Sequence, residues 1–136
     1  MTERSLEFRR YGCRMTLNMP VAMEEMPITN LRKFFKLMDE EYWRNEESTR
    51  LFFAYIPEIQ EDLKDKWGQE SLKFQKEYQD TKFDSSGNYI SDKEEREKRR
   101  NHNKRLMNKV KAAKARYERF QKRVPKLKEL QEQYSH

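Results

Sequence analysis

"LMNKVKAAKARYERFQKRVPKL", residues 106–127, decides how this chain is read. Leu106, Val110, Ala113, Tyr117, Phe120, Val124 and Leu127 follow one another at intervals of 4, 3, 4, 3, 4 and 3 residues. A repeat averaging 3.5 residues lays one apolar stripe along a helix, the pattern of a helix packed against a partner helix. The spacing therefore predicts a long helix with a dry face from Leu106 onward. Pro125 falls inside the stripe, and an internal proline removes a hydrogen bond and crowds the preceding turn. A kink or stop is expected at 124–125, then a short helix carrying Leu127 and Leu130.

Upstream of Leu106 the stripe fades. Residues 94–105, "EEREKRRNHNKR", contain no apolar side chain. With nothing to bury, they are expected to project into solvent or to meet something polar. Ser91 and Glu94 match a capping box, in which hydroxyl and carboxylate each satisfy one unpaired amide. The helix is thus predicted to open near Asp92. Run from 92 to 123, it would be roughly 48 Å long at 1.5 Å per residue. Before it, "FDSSGNY", residues 83–89, gathers turn formers and marks the clearest break in the chain.

The rest of the sequence agrees with a helical protein. Its 136 residues suggest one domain in size. Only three glycines and four prolines leave little scope for tight turns. Charged residues make up 40%, hydrophobic residues 35%, and the mean hydropathy is −1.30. That is apolar-poor for a globule. Two Trp, seven Tyr and eight Phe nevertheless argue against disorder and for thin cores in elongated helices. The net charge of +6 conceals a split. Residues 93–128 hold sixteen Lys/Arg against four Asp/Glu, whereas residues 39–80 hold six against twelve. Such a chain can meet a polyanion with one part and repel it with another.

Residues 5–23 alternate apolar and polar side chains at Tyr11, Cys13, Met15, Leu17, Met19 and Val21, which is the period of a half-buried strand. Leu6 and Phe8 lie on the opposite parity, so a phase shift is expected near Arg9–Gly12, where Gly12 can supply a bulge or a turn. Either a bulged strand or a short hairpin fits, ending at Pro20. Leu31, Phe34, Phe35, Met38 and Tyr42 then fall at helical spacing, predicting a helix over about 29–45 capped by Thr29 or Asn30. "LFFAYI", residues 51–56, suits a helix or a buried strand, and the helix is the preferred reading, capped by Ser48. Pro57 would kink it or open a second helix. Ile59, Leu63, Trp67, Phe74 and Tyr78 continue the helical spacing. The expected division is 1–82 as a β element with a helical core, 83–91 as a linker, and 92–136 as the basic helix.

No residue set specifies a reaction. Cys13 is the only cysteine, which excludes an intrachain disulfide and a thiolate cluster. His102 and His136 have no partner at metal-ligand spacing, and no glycine-rich phosphate loop exists. Glu58, Asp62 and Asp65 share a helix face, but interleaved lysines and the absence of converging oxygens speak against a metal. Neither an enzyme, a metal nor a cofactor is expected. The longest apolar run is far short of the roughly 20 residues that span a bilayer. No secretion signal is evident near residue 1, so the cytoplasm is the expected setting.

The sequence supports a small non-catalytic binding protein of mainly α class, with a small N-terminal β element and a long basic C-terminal helix. Lys98, Arg99, Arg100, Lys104, Arg105, Lys109, Lys111, Lys114 and Arg116 are candidates for phosphates. Asn101, His102 and Asn103 are candidates for bases or sugars. The expected partner is nucleic acid, DNA or RNA, or a nucleic-acid-bound complex. Leu106, Val110, Tyr117, Phe120 and Trp43 are the candidate protein contacts. A second reading is a phage- or mobile-element-encoded inhibitor of the anti-CRISPR kind, or an adaptor, that blocks an enzyme such as a host nuclease. A coiled-coil homo-oligomer is third.

Overall fold

The computed structural model describes residues 5–10, 13–40 and 46–134. Strands β1 (Ser5–Arg10) and β2 (Cys13–Asn18) pair antiparallel, with Ser5 opposite Asn18 and Arg10 opposite Cys13. Four helices follow: α1 (Met19–Glu25), α2 (Ile28–Glu40), α3 (Glu46–Glu77) and α4 (Lys93–Tyr134). The class is mainly α with a small N-terminal β element. Two compact units form, one from residues 1–61 with 119–136, the other from residues 62–118. The expected linker at 83–91 lies inside the second unit rather than between units.

In the first unit the β element is the hairpin of the two alternatives. The alternation through Met19 and Val21 is not strand, because α1 begins at Met19. Pro20 opens that helix, where a missing amide costs nothing, and the Asn18 side chain caps it by accepting from the Val21 amide at 3.3 Å. Helix α2 starts one residue before the expected 29 and is described to Glu40; residues 41–45, Trp43 among them, lie outside the described residues.

"LFFAYI" is helical, and α3 starts at Glu46, before Ser48. Pro57 sits inside α3 and Pro125 inside α4, so neither ends its helix. An interior proline costs about 3 kcal/mol. Phe53, Tyr55, Ile56 and Ile59 are buried around the first, and Phe120, Val124, Leu127 and Leu130 around the second. At about 1.5–3 kcal/mol for each buried side chain, packing outweighs the missing hydrogen bond. Phe35 anchors this core, with its ring 5.2 Å from Phe52, 5.5 Å from Phe53 and 5.6 Å from Tyr134.

Arg123 of α4 donates to the carbonyls of Ala22, Met23 and Met26. They lie at the C-terminal end of α1, where the Ala22 carbonyl also accepts the Met26 amide at 3.1 Å, and a cation there meets the negative end of the helix dipole. Burial holds the Arg123 guanidinium pKa below its ordinary value.

In the second unit Leu63, Ile90, Leu106 and Ala113 are buried. The Trp67 and Tyr117 rings lie 5.8 Å apart, so here α3 and α4 meet through aromatic side chains. Helix α4 opens on Asp92, whose carboxylate accepts from the Glu94 amide at 3.0 Å. Asp92 thus caps the helix through its own side chain, in place of the expected Ser91–Glu94 box. None of the described helices is long and apolar enough to cross a membrane.

Candidate nucleic-acid interface

The candidate site belongs to α4 within the second unit. Its residues divide according to their angle around the helix, which advances about 100° per residue. Continued backward at the same 3 and 4 spacing, the seam of Leu106 reaches Asn103, Arg99 and Arg96. All three are half-buried, whereas Lys98, Arg100, Asn101, Lys104 and Arg105 are exposed. The apolar-free stretch therefore packs after all, against polar groups.

Those groups are the end of α3. The last carbonyls of a helix lack intrahelical donors. The His102 imidazole lies with Nε2 2.8 Å from the Glu77 carbonyl, and because a carbonyl only accepts, Nε2 carries the proton. Asn103 donates through Nδ2 to the Gln79 carbonyl at 2.7 Å and accepts the Gln79 amide at Oδ1 at 2.9 Å. Arg99 donates to the Asp80 carbonyl at 3.3 Å and pairs with Glu95 at 3.1 Å. Three residues expected to touch nucleic acid, Arg99, His102 and Asn103, make hydrogen bonds that close the α3–α4 turn. A charged or amide side chain at a seam position is the sequence signal for this.

The remaining cations point elsewhere. Lys98, Arg100, Lys104, Arg105, Lys109 and Lys111 are exposed, and none forms an ion pair with a described residue. Arg100, Lys104 and Lys111 share the side of the helix opposite the seam and span roughly 17 Å along its axis. Lys98, Arg105 and Lys109 occupy one flank, in phase with the half-buried Arg116. Lys114 sits 5.7 Å from the Trp67 ring centroid and 3.9 Å from Glu118. Asn101 is exposed on the outer side.

Lys109 and Arg116 also line an open groove of about 330 Å³ together with Lys66 and Glu70 of α3. Glu70 Oε2 is buried there with no hydrogen-bond partner among the described residues. A carboxylate makes this groove a poorer anion site than the outer stripe.

The candidate protein contacts divide as well. Leu106 and Phe120 are 6% and 1% exposed, so they are core residues and offer no surface to another molecule. Val110 and Tyr117 are half-buried on the same seam. Among the described residues no group of three His, Cys, Asp or Glu side chains is placed to hold a metal. Compared with protein-family models, curated proteins and solved structures, the chain matches none.

Proposed function

We propose that the protein is a non-catalytic binding protein whose helix α4 contacts the phosphate backbone of a nucleic acid, alone or within a ribonucleoprotein. One observation carries the reading. From Lys98 to Tyr117 the helix holds nine Lys/Arg and no Asp or Glu, and six of those cations are exposed and form no ion pair with a described residue. Arg100 with Lys104, and Arg105 with Lys109, are like-charged pairs one turn apart, each destabilising by about 0.2–0.5 kcal/mol. Folding alone gives no reason for that arrangement. A polyanion neutralises it, and the release of condensed counterions drives association. A cytoplasmic setting belongs to the same proposal.

The test replaces Lys98, Arg100, Lys104, Arg105, Lys109 and Lys111 with Gln, a comparably good helix former. Arg99, His102 and Asn103 stay, so the α3–α4 turn stays capped. Affinity for random DNA and RNA should fall. The slope of log affinity against log salt should shrink by roughly 0.7–0.9 for each phosphate no longer neutralised. A parent protein that binds no nucleic acid at low salt defeats the reading, as does a variant that binds as the parent does.

A further inference from the structure

The turn between α3 and α4 shows two large rings to solvent. Phe83 is 47% exposed and Tyr89 60%. Their rings meet edge to face, 6.2 Å between centroids. The backbone beneath them is tightly determined. Phe83 and Tyr89 form an antiparallel bridge, and the Ile90 amide donates to the Lys82 carbonyl at 2.9 Å. The Asp84 amide donates to the Asn88 carbonyl, while the Asp84 carboxylate accepts from the Ser86 and Asn88 amides, all at 2.9 Å. Gly87 has a positive φ of 82°, which a side chain would strain. Asp80 accepts the Lys82 and Phe83 amides, and Ile90 is buried below. These bonds preorganise a turn whose rings contribute little to the core.

The rings also adjoin the cationic stripe. Arg96 donates to the Tyr89 hydroxyl at 3.2 Å, with its guanidinium carbon 6.0 Å from the ring centroid. Arg96 is itself a half-buried seam residue, and one turn further on Arg100 begins the exposed row that continues through Lys104 and Lys111. Exposed aromatic faces beside a row of cations are what a single strand requires, since bases stack on rings while phosphates meet charge. In a duplex the base faces are already occupied by their neighbours. We propose that Phe83 and Tyr89 form a stacking platform for unpaired bases, which makes the partner a single-stranded nucleic acid. The inference rests on the phosphate-binding reading of α4 and adds the strandedness of the ligand.

The experiment uses the full chain, a Phe83→Leu/Tyr89→Leu variant, a Tyr89→Phe control and the six-cation variant. Anisotropy is read with a short oligouridylate, the matching oligodeoxythymidylate and a duplex of equal length, at two salt concentrations. Leucine keeps bulk but removes the π face; circular dichroism confirms that helix content is retained. Affinity for the single strands should drop by about 5- to 150-fold for each base that no longer stacks. The salt slope and any duplex binding should not move, and Tyr89→Phe should bind as the parent does. The RNA and DNA arms show which strand is preferred. If the leucine variant binds single strands like the parent while the six-cation variant does not, the platform is refuted and the phosphate reading stands. A parent that prefers duplex also refutes the platform. If the parent binds none of the three probes, both ideas fail together.

Discussion

Replacing Asn103 with Ala separates the structural role of α4 from the binding role proposed for it. The side chain makes two hydrogen bonds to one residue, donating to the Gln79 carbonyl at 2.7 Å and accepting the Gln79 amide at 2.9 Å. A typical intramolecular hydrogen bond contributes about 0.5–1.5 kcal/mol net, so both together give about 1–3 kcal/mol. Water can reach these groups, since Gln79 is exposed, which puts the expected loss at the lower end, about 1–2 kcal/mol. For a chain of this size that lowers the melting temperature by roughly 3–10 °C. Asn103→Asp should be no better than Ala. It keeps the acceptor but sets a carboxylate against the Gln79 carbonyl, near the negative end of α3.

The decisive assay is amide exchange at Gln79, because Asn103 Oδ1 is the acceptor that protects that amide. Exchange should accelerate there more than at the buried Leu106 in the same unit. Nucleic-acid affinity, measured well below the melting transition, should match the parent. Unchanged exchange at Gln79 would refute the cap. Weaker affinity with protection intact would return Asn103 to the binding surface.

Three further outcomes follow from the same structure. Phe120→Ala, at a position 1% exposed, should cost about 3–5 kcal/mol in chemical denaturation; a change under about 1 kcal/mol would show that the seam is not the core of the first unit. Arg123→Met should destabilise by about 1–3 kcal/mol, because three carbonyls at the end of α1 are left without a charged donor; Arg123→Lys, which reaches fewer of them, should fall between, and equal stability of all three proteins would refute the cap. The Lys82 and Phe83 amides hold the Asp80 carboxyl below its ordinary value of 3.8. A lowered folded pKa contributes stability that is present above 3.8 and is lost as the pH falls through the folded value. The stability gap between parent and Asp80→Asn should therefore close on acidification, and a gap that stays constant with pH would sink this assignment.

The long helices are legible in the sequence because their signal is redundant. Seven seam positions in α4 repeat one spacing, and the structure buries five of them. The turn at 83–89 is legible for the same reason, several turn formers agreeing in a short window. The stretch from Met19 to Glu25 misleads because Met19 and Val21 satisfy strand parity as well as a short helix does. What separates the two is Asn18, whose carboxamide caps the Val21 amide and lets Pro20 open a helix. The prolines mislead in the other direction. Local chemistry argues against Pro57 and Pro125 inside helices, but the surrounding burial is non-local and cannot be summed from a window of sequence.

The side chains whose packing the sequence does not reveal share one physical cause. A heptad seam followed only as far as its apolar residues makes Arg96, Arg99 and Asn103 look like solvent-facing groups. Yet helix phase does not stop where hydrophobicity does. A seam position remains directed at the partner helix, and what it meets there depends on where that partner ends. Helix α3 ends at Glu77, so the seam upstream of Leu106 faces unpaired carbonyls and an amide rather than side chains. Amides, imidazoles and guanidinium groups suit those acceptors, as Leu or Val would not. The rule carries a consequence for the function as well. Cations on the phase of the seam are engaged within the fold, and those off it are the ones left exposed. That is why the six exposed cations, rather than the whole basic run, are the ones to remove when binding is tested.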